Sequence, residues 1–131
     1  MSNELLSGRR VLVLEDEMLV LMNIENMLAE MGCESVTAAA SVNEALDLLA
    51  EQQFDVALLD VNLNGCESYP VADALAVRGV PFAFSTGYSA AGIRNDHRDR
   101  PVLRKPYQHA ELVRIVTRLL AECGLELVAS P

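Results

Sequence analysis

The sequence has no unbroken apolar run of the ~18–20 residues that a membrane span requires. Its opening residues, MSNELLSGRR, lack the basic-then-apolar order of an export signal. Both absences predict a cytoplasmic protein. Cysteine is scarce. Cys33, Cys66 and Cys123 are odd in number, far apart and without CxxC spacing, which predicts reduced thiols rather than a disulfide framework. Basic residues are outnumbered, ten Lys and Arg against nineteen Asp and Glu, for a net charge of −9. Those ten are scattered, apart from the stretch 94–104, where acidic and polar residues interrupt them. A nucleic-acid surface needs clustered cations and is therefore not expected. Neither GxxxxGK[ST] nor GxGxxG occurs, so a free nucleotide cannot be cradled by a glycine-rich loop. Internal repeats and low-complexity tracts are also missing.

What is present is the composition of a folded soluble domain, 51% apolar and 22% charged in 131 residues. That length buries a core without staples. The expected organisation is an N-terminal extension over 1–8, one domain over 9–122, a C-terminal tail over 123–131 and no output domain.

Strand-like and helix-like patterns alternate along the domain. Val11-Leu12-Val13-Leu14 is a short apolar run of the kind buried on both faces of a parallel sheet. Val20, Leu21, Ile24, Met27, Leu28 and Met31 then form one helical stripe, closed by Gly32. A weaker strand is expected over 35–39. Ser41 and Glu44 have capping-box spacing ahead of a helix with Val42, Ala45, Leu46 and Leu49 inside. A third strand over 55–59 stops at Asp60. A polar loop over 62–65 leads to a helix with Pro70 in its first turn and Val71, Ala72 and Leu75 buried. A fourth strand begins at Pro81-Phe82 and ends near Thr86. Leu103 lies in a short fifth strand ending at Lys105-Pro106. A last helix is expected over 108–122, stopped by Gly124. The stretch 89–100 is poor in apolar residues, and any helix there is expected to be short and weakly anchored.

Five such β-α units predict an α/β fold, a parallel sheet with helices on both faces. Ligands of such sheets bind beyond the carboxyl ends of the strands. Glu15-Asp16-Glu17, Asp60, Thr86-Gly87 and Lys105-Pro106 stand at those ends. Crowded carboxylates repel and raise one another's pKa unless a hard divalent cation or the lysine relieves them. Oxygen ligands of this kind suit Mg²⁺. Such a site holds a phosphoryl group bonded to Asp60, its oxygens neutralised by Mg²⁺ and Lys105. Glu17 is read as a first-turn residue favoured by the helix dipole.

In this order and spacing, these residues resemble the response-regulator receiver family over roughly residues 9–122. The resemblance implies a flavodoxin-like (βα)5 fold with sheet order 2-1-3-4-5. It implies that Asp60 is the nucleophile that becomes an aspartyl phosphate, with a sensor histidine kinase as donor. It makes Asp16 a direct Mg²⁺ ligand, Glu15 a ligand acting mainly through water, and the Asn62 backbone carbonyl a further ligand. Lys105 would pair with a phosphoryl oxygen, and with Asp60 before phosphorylation. Thr86 would donate its hydroxyl to another oxygen and move as it does so. Gly87 would leave the acceptor open, the Lys105–Pro106 peptide would be cis, and Asn62 and Tyr88 would tune hydrolysis. The domain would catalyse only its own phosphorylation and dephosphorylation. It would signal by docking to a target, as a phosphate sink, or by relay to a histidine phosphotransfer protein. A homodimer through the strand-four to helix-five face is a further implied partner arrangement.

Some positions depart from the common pattern. Val102 stands where many receivers carry an aromatic switch residue, and Asn64 where a proline is common. Phe82-Ala-Phe-Ser-Thr-Gly-Tyr88 is similar to the stand-alone Phe-Ala-Thr-Gly-Tyr type, with Ser85 in place of alanine and Tyr88 a candidate for the missing aromatic. Phosphorylation is expected to order the stretch 89–100. His97 and His109 are isolated and expected to be exposed; Cys66 reads as a loop or helix-start thiol and Tyr107 as packing. A toprim-type nuclease would need a second acid where Asn62 stands. A haloacid-dehalogenase-like phosphatase would need DxD after strand one. A flavodoxin would place phosphate against Glu15-Asp16-Glu17. The remaining alternative is a receiver-like binding module that is not phosphorylated in use.

Overall fold

The computed structural model describes residues 5–63, 65–87 and 93–129, with residues 95 and 123–129 described by backbone alone. Five strands form one parallel sheet: β1 (Arg10–Leu14), β2 (Ser35–Ala39), β3 (Val56–Asp60), β6 (Phe82–Thr86) and β7 (Val102–Arg104). Their order is β2-β1-β3-β6-β7 and every pairing is parallel, which is the expected 2-1-3-4-5 order of a flavodoxin-like sheet. The helices are α1 (Met18–Glu30), α2 (Val42–Glu51), α3 (Tyr69–Val77) and α4 (His109–Ala129).

Side chains alternate across a strand with period two, so each central strand feeds two cores. Val11, Val13, Val56, Leu58, Ala83 and Leu103 pack with Ile24 and Leu28 of α1 and with Leu112, Val116 and Leu119 of α4. Leu12, Leu14, Ala57, Leu59, Phe82 and Phe84 pack on the other face with Ala45 and Leu49 of α2 and Val71, Ala72 and Leu75 of α3. Burial on both faces is why these strands read as unbroken apolar runs. Each fully buried Leu or Phe contributes about 1.5–3 kcal/mol.

Local signals end the helices largely as expected. Gly32 adopts φ 85°, and the amides of Gly32 and Cys33 donate to the carbonyls of Ala29 and Leu28 at 3.0 and 3.1 Å, closing α1 in a Schellman motif. Ser41 Oγ accepts from the Glu44 amide at 3.1 Å. Glu44 reaches back to the amide of Ala40 at 2.8 Å, one residue short of the usual capping-box partner.

Four expectations need correction. α4 does not stop at Gly124 but continues to Ala129. One interior glycine costs about 1 kcal/mol against alanine, and the strong helix formers around it, Leu125, Glu126, Leu127 and Ala129, offset that. The loop after Asp60 holds a small antiparallel hairpin, β4 (Asn62–Leu63) with β5 (Cys66–Glu67). Gly65 takes φ 85° there and donates its amide to Asn62 Oδ1 at 2.8 Å. His97 is 4% exposed rather than exposed. Finally, residues 93–100 hold only a 3-10 turn (Asn95–His97), and the buried Ile93 and His97 anchor it more closely than the low apolar content of the stretch suggests. Tyr88, Asn64 and residues 89–92 lie outside the described residues.

That packing is polar and aromatic. His97 Nε2 stands 2.9 Å from Asp73 Oδ1. Its ring stacks on Tyr69 at 6.3 Å and meets Phe82 and Phe84 edge-on. The Arg94 guanidinium bridges Asp73 and Asp96 and lies 4.8 Å over the Tyr69 ring, while the Arg94 amide donates to Tyr69 OH at 2.9 Å.

Candidate functional site

Main-chain hydrogen bonds hold each strand-end residue against its neighbour. The Glu15 amide donates to the Ala39 carbonyl at 3.0 Å, the Val61 amide to Ser85 at 3.1 Å, and the Lys105 amide to Thr86 at 2.7 Å. Because β1, β3, β6 and β7 are adjacent, their carboxyl ends bring Glu15, Asp16, Asp60, Thr86 and Lys105 to one edge of the sheet. Glu15, Asp60 and Thr86 are buried, at 2%, 9% and 5% exposure, while Asp16 is half-buried.

Carboxylate oxygens of Glu15, Asp16 and Asp60 lie within 4.8 Å of one another. Lys105 Nζ donates to Glu15 Oε1 at 2.8 Å and to Asp60 Oδ2 at 3.2 Å. The lysine thus spans both acids instead of pairing with Asp60 alone. Backbone amides supply weaker contacts, Glu17 to Glu15 Oε2 at 3.3 Å and Asn62 to Asp60 Oδ1 at 3.4 Å. Burial pushes the Glu15 carboxyl above its ordinary range, and the nearby Asp60 charge adds to this against the pull of Lys105. Burial opposes the Lys105 ammonium, yet Glu15 and Asp60 outweigh it and hold the lysine above its ordinary range.

Three ionised carboxylates against one ammonium leave a formal excess of two negative charges. The Asp60 charge adds to the burial that holds the Glu15 carboxyl above its ordinary range. A hard divalent cation with oxygen ligands would relieve it, so the donor set fits Mg²⁺. A second acidic group, Asp73, Asp96 and His97, also has ligand atoms within 4.8 Å of one another. There the Arg94 guanidinium already neutralises the acids, which makes that group an anchor for the 3-10 turn.

The other expected positions are placed as follows. Thr86 ends β6, beside Gly87, where an added Cβ would meet nothing within 4 Å. Among the described residues, packing therefore does not require glycine at 87. The Lys105–Pro106 peptide is cis. Asn62 opens β4 with its side chain turned to the Gly65 amide. His109 is exposed, Cys66 is exposed on β5, and Tyr107 is buried as packing predicts. Burial raises the Cys33 thiol, as suits a reduced core residue. Sequence reasoning gave no role to Ser85 beyond noting it, nor to Asp73 and Arg94. Asp73 meets Arg94 and His97 only through folding, and no local spacing signals the contact.

The chain matches the response regulator receiver domain model over residues 11–117 and belongs to that family. The transcriptional regulatory protein PdtaR of Mycobacterium tuberculosis (strain CDC 1551 / Oshkosh) is 29% identical over 109 residues, covering 80% of this chain and 53% of PdtaR. The chain thus spans about half the length of the curated relatives it matches. Among solved structures, SdrG from Sphingomonas melonis Fr1 is 39% identical with a TM-score of 0.73, covering 90% of this chain and 96% of SdrG. SdrG has also been solved in a BeF3-activated conformation. The receiver domain of the sensor histidine kinase PA1611 from Pseudomonas aeruginosa PAO1, with a magnesium ion coordinated in its active-site cleft, is 26% identical with a TM-score of 0.72. That match covers 88% of this chain and 99% of the PA1611 domain.

Proposed function

We propose that Asp60 accepts a phosphoryl group from the phosphohistidine of a sensor histidine kinase in a Mg²⁺-dependent reaction. The observation that carries this reading is the buried Asp60 carboxylate with Lys105 Nζ at 3.2 Å and the oxygens of Glu15 and Asp16 beside it. A carboxylate oxygen of Asp60 attacks phosphorus in line. The O–P bond forms, the N–P bond breaks, and the donor nitrogen leaves with the electron pair. Phosphoryl transfer needs positioning and charge stabilisation more than covalent machinery. Glu15, Asp16, Asp60 and the Asn62 carbonyl would hold Mg²⁺, which supplies charge neutralisation to the phosphoryl oxygens. Lys105 transfers its hydrogen bond to one of those oxygens. Thr86 donates to another, and Gly87 leaves room for the donor.

The donor has a seat on this chain's own surface. Met18, Leu19 and Met22 of α1 are 67%, 82% and 50% exposed. Leu19 also lines an open groove of about 520 Å³, with Val20, Asn23, Ile24 and Lys105-Pro106-Tyr107. An apolar patch next to the acceptor lysine suits an apolar helix that carries the phosphohistidine. The similarity to SdrG and PA1611 supports the same chemistry. Once loaded, the domain acts from the cytoplasm by docking, by relay or as a sink.

Equilibrium binding of beryllofluoride, a phosphoryl mimic, tests this reading. Binding should require Mg²⁺ and disappear in Asp60→Asn. Binding that survives in Asp60→Asn would favour a module that is not phosphorylated.

A further inference from the structure

Ten Lys and Arg serve the whole chain, and the topology sends few of them to the acceptor end of the sheet. Arg9 and Arg10 stand at the start of β1 and Arg78 at the far end of α3, all at the opposite end. Arg98 and Arg100 precede the start of β7. Arg118 donates to the Asp99 carbonyl at 3.5 Å, also ahead of β7, and Arg114 lies one turn away on the same helix. Three cations remain at the carboxyl ends. Lys105 is held by Glu15 and Asp60, and Arg94 by Asp73 and Asp96. Arg104 ends β7, is exposed, and makes no ion pair or side-chain hydrogen bond among the described residues.

The sheet sets Arg104 beside the site. It stands opposite Thr86 in the β6–β7 register. Neighbouring strands are about 4.8 Å apart. Phe84 and Val102 pack on one face of the sheet, and alternation returns to that face at Thr86 and Arg104. The hydroxyl that would meet a phosphoryl oxygen and an unpaired guanidinium therefore share a face at adjacent strand ends. The α1 groove borders the other face, through Ile24 and Tyr107. Arg104 thus lies across the sheet from the groove.

The charge of the site gives that placement a consequence. Glu15, Asp16 and Asp60 outnumber Lys105 by two charges, and a phosphodonor brings an anionic phosphoryl group to them. A fixed cation at the rim of such a cleft raises the encounter rate of an anion. A guanidinium also presents paired donors that match phosphoryl oxygens.

We propose that Arg104 is a specificity-determining residue that draws the phosphodonor to the acceptor site and favours donors by the negative charge of their phosphoryl group. The inference rests on Asp60 being the acceptor. Arg104 forms and breaks no bond. Its effect falls on the encounter, and so on the second-order rate, and it weakens as salt screens the charge.

The test follows adduct formation by intact mass on the full chain in saturating Mg²⁺. Two donors are compared: acetyl phosphate, a dianion at neutral pH, and phosphoramidate, with one negative charge fewer. The variants are Arg104→Ala, Arg104→Glu and Arg104→Lys, with Arg114→Ala as an exposed control. In low salt Arg104→Ala should lower the second-order rate with acetyl phosphate about three- to tenfold, the low end of electrostatic steering. Arg104→Glu should lower it further, while Arg104→Lys and Arg114→Ala stay near wild type. The loss should be smaller with phosphoramidate. The ratio of variant to wild type should approach one near 1 M salt, where the screening length is about 3 Å. The urea midpoint should not move. Unchanged rates in Arg104→Ala and Arg104→Glu would overturn the inference. So would a loss equal for both donors and persistent in high salt, the mark of a packing role. An equal loss in Arg114→Ala would assign the effect to net charge and overturn it as well. If wild type forms no adduct with either donor, the acceptor reading fails, and this inference with it.

Discussion

Lys105 Nζ stands 2.8 Å from Glu15 Oε1 and 3.2 Å from Asp60 Oδ2, so one ammonium spans two buried acids from strands that are neighbours in the sheet. Replacing it with methionine leaves both acids without their cation. Lys105→Met should lower stability by about 1.5–3 kcal/mol at pH 8, the range for hydrogen bonds to charged groups. The loss should shrink toward pH 5. Glu15 already has a raised folded pKa, and without the lysine it rises further. A raised folded pKa contributes stability below the unfolded value that is lost as pH climbs through the folded one. Urea unfolding at the two pH values checks this.

The same sign governs Mg²⁺. Binding requires ionised carboxylates, and Glu15 resists ionisation. Mg²⁺ should raise the melting temperature more at pH 8 than at pH 5. At a hundredfold excess over Kd the gain at the higher pH is about 2.7 kcal/mol. Asp16→Asn should reduce it. Thermal melts with and without Mg²⁺ read the difference, and an equal gain at both pH values would contradict the assignment.

Asp73 anchors the 3-10 turn through the buried imidazole of His97. Asp73→Ala leaves that nitrogen unpaired, at a cost of about 1–3 kcal/mol. Amide exchange should quicken over 93–97, while β1 and β3 stay protected. Asp73→Asn keeps an oxygen acceptor and should recover most of the loss. A uniform acceleration across the sheet would show that the cluster is not a local anchor.

Burial pushes the Tyr107 phenol up to about 12. Its folded pKa exceeds the unfolded value near 10, so its contribution to stability is complete below pH 10 and is lost as pH rises toward 12. Tyr107→Phe should flatten the alkaline limb of the stability curve between those values. Urea midpoints across that interval, with tyrosinate absorbance followed in parallel, measure it.

The fold was legible because its central strands are short apolar runs buried on both faces, with polar residues where they stop. Leu14 before Glu15 and Leu59 before Asp60 mark those stops, and the parallel order then brings the acids together. What was not legible depends on contacts across the chain. His97 has no local partner, and its burial follows from Asp73, 24 residues earlier, and from the rings of Tyr69, Phe82 and Phe84. Gly124 carries an end-of-helix signal that the helix formers around it override. Ser85 reads as a strand residue, and only the sheet register places it opposite Asp60.

The most direct test of the account is intact mass after incubation with acetyl phosphate, for wild type and Asp60→Asn, each with and without Mg²⁺. The account predicts a labile gain of one phosphoryl group (~80 Da), as expected of a carboxylate nucleophile, in wild type with Mg²⁺ and in no other sample. An adduct of the same mass in Asp60→Asn, or one formed equally well without Mg²⁺, would contradict it.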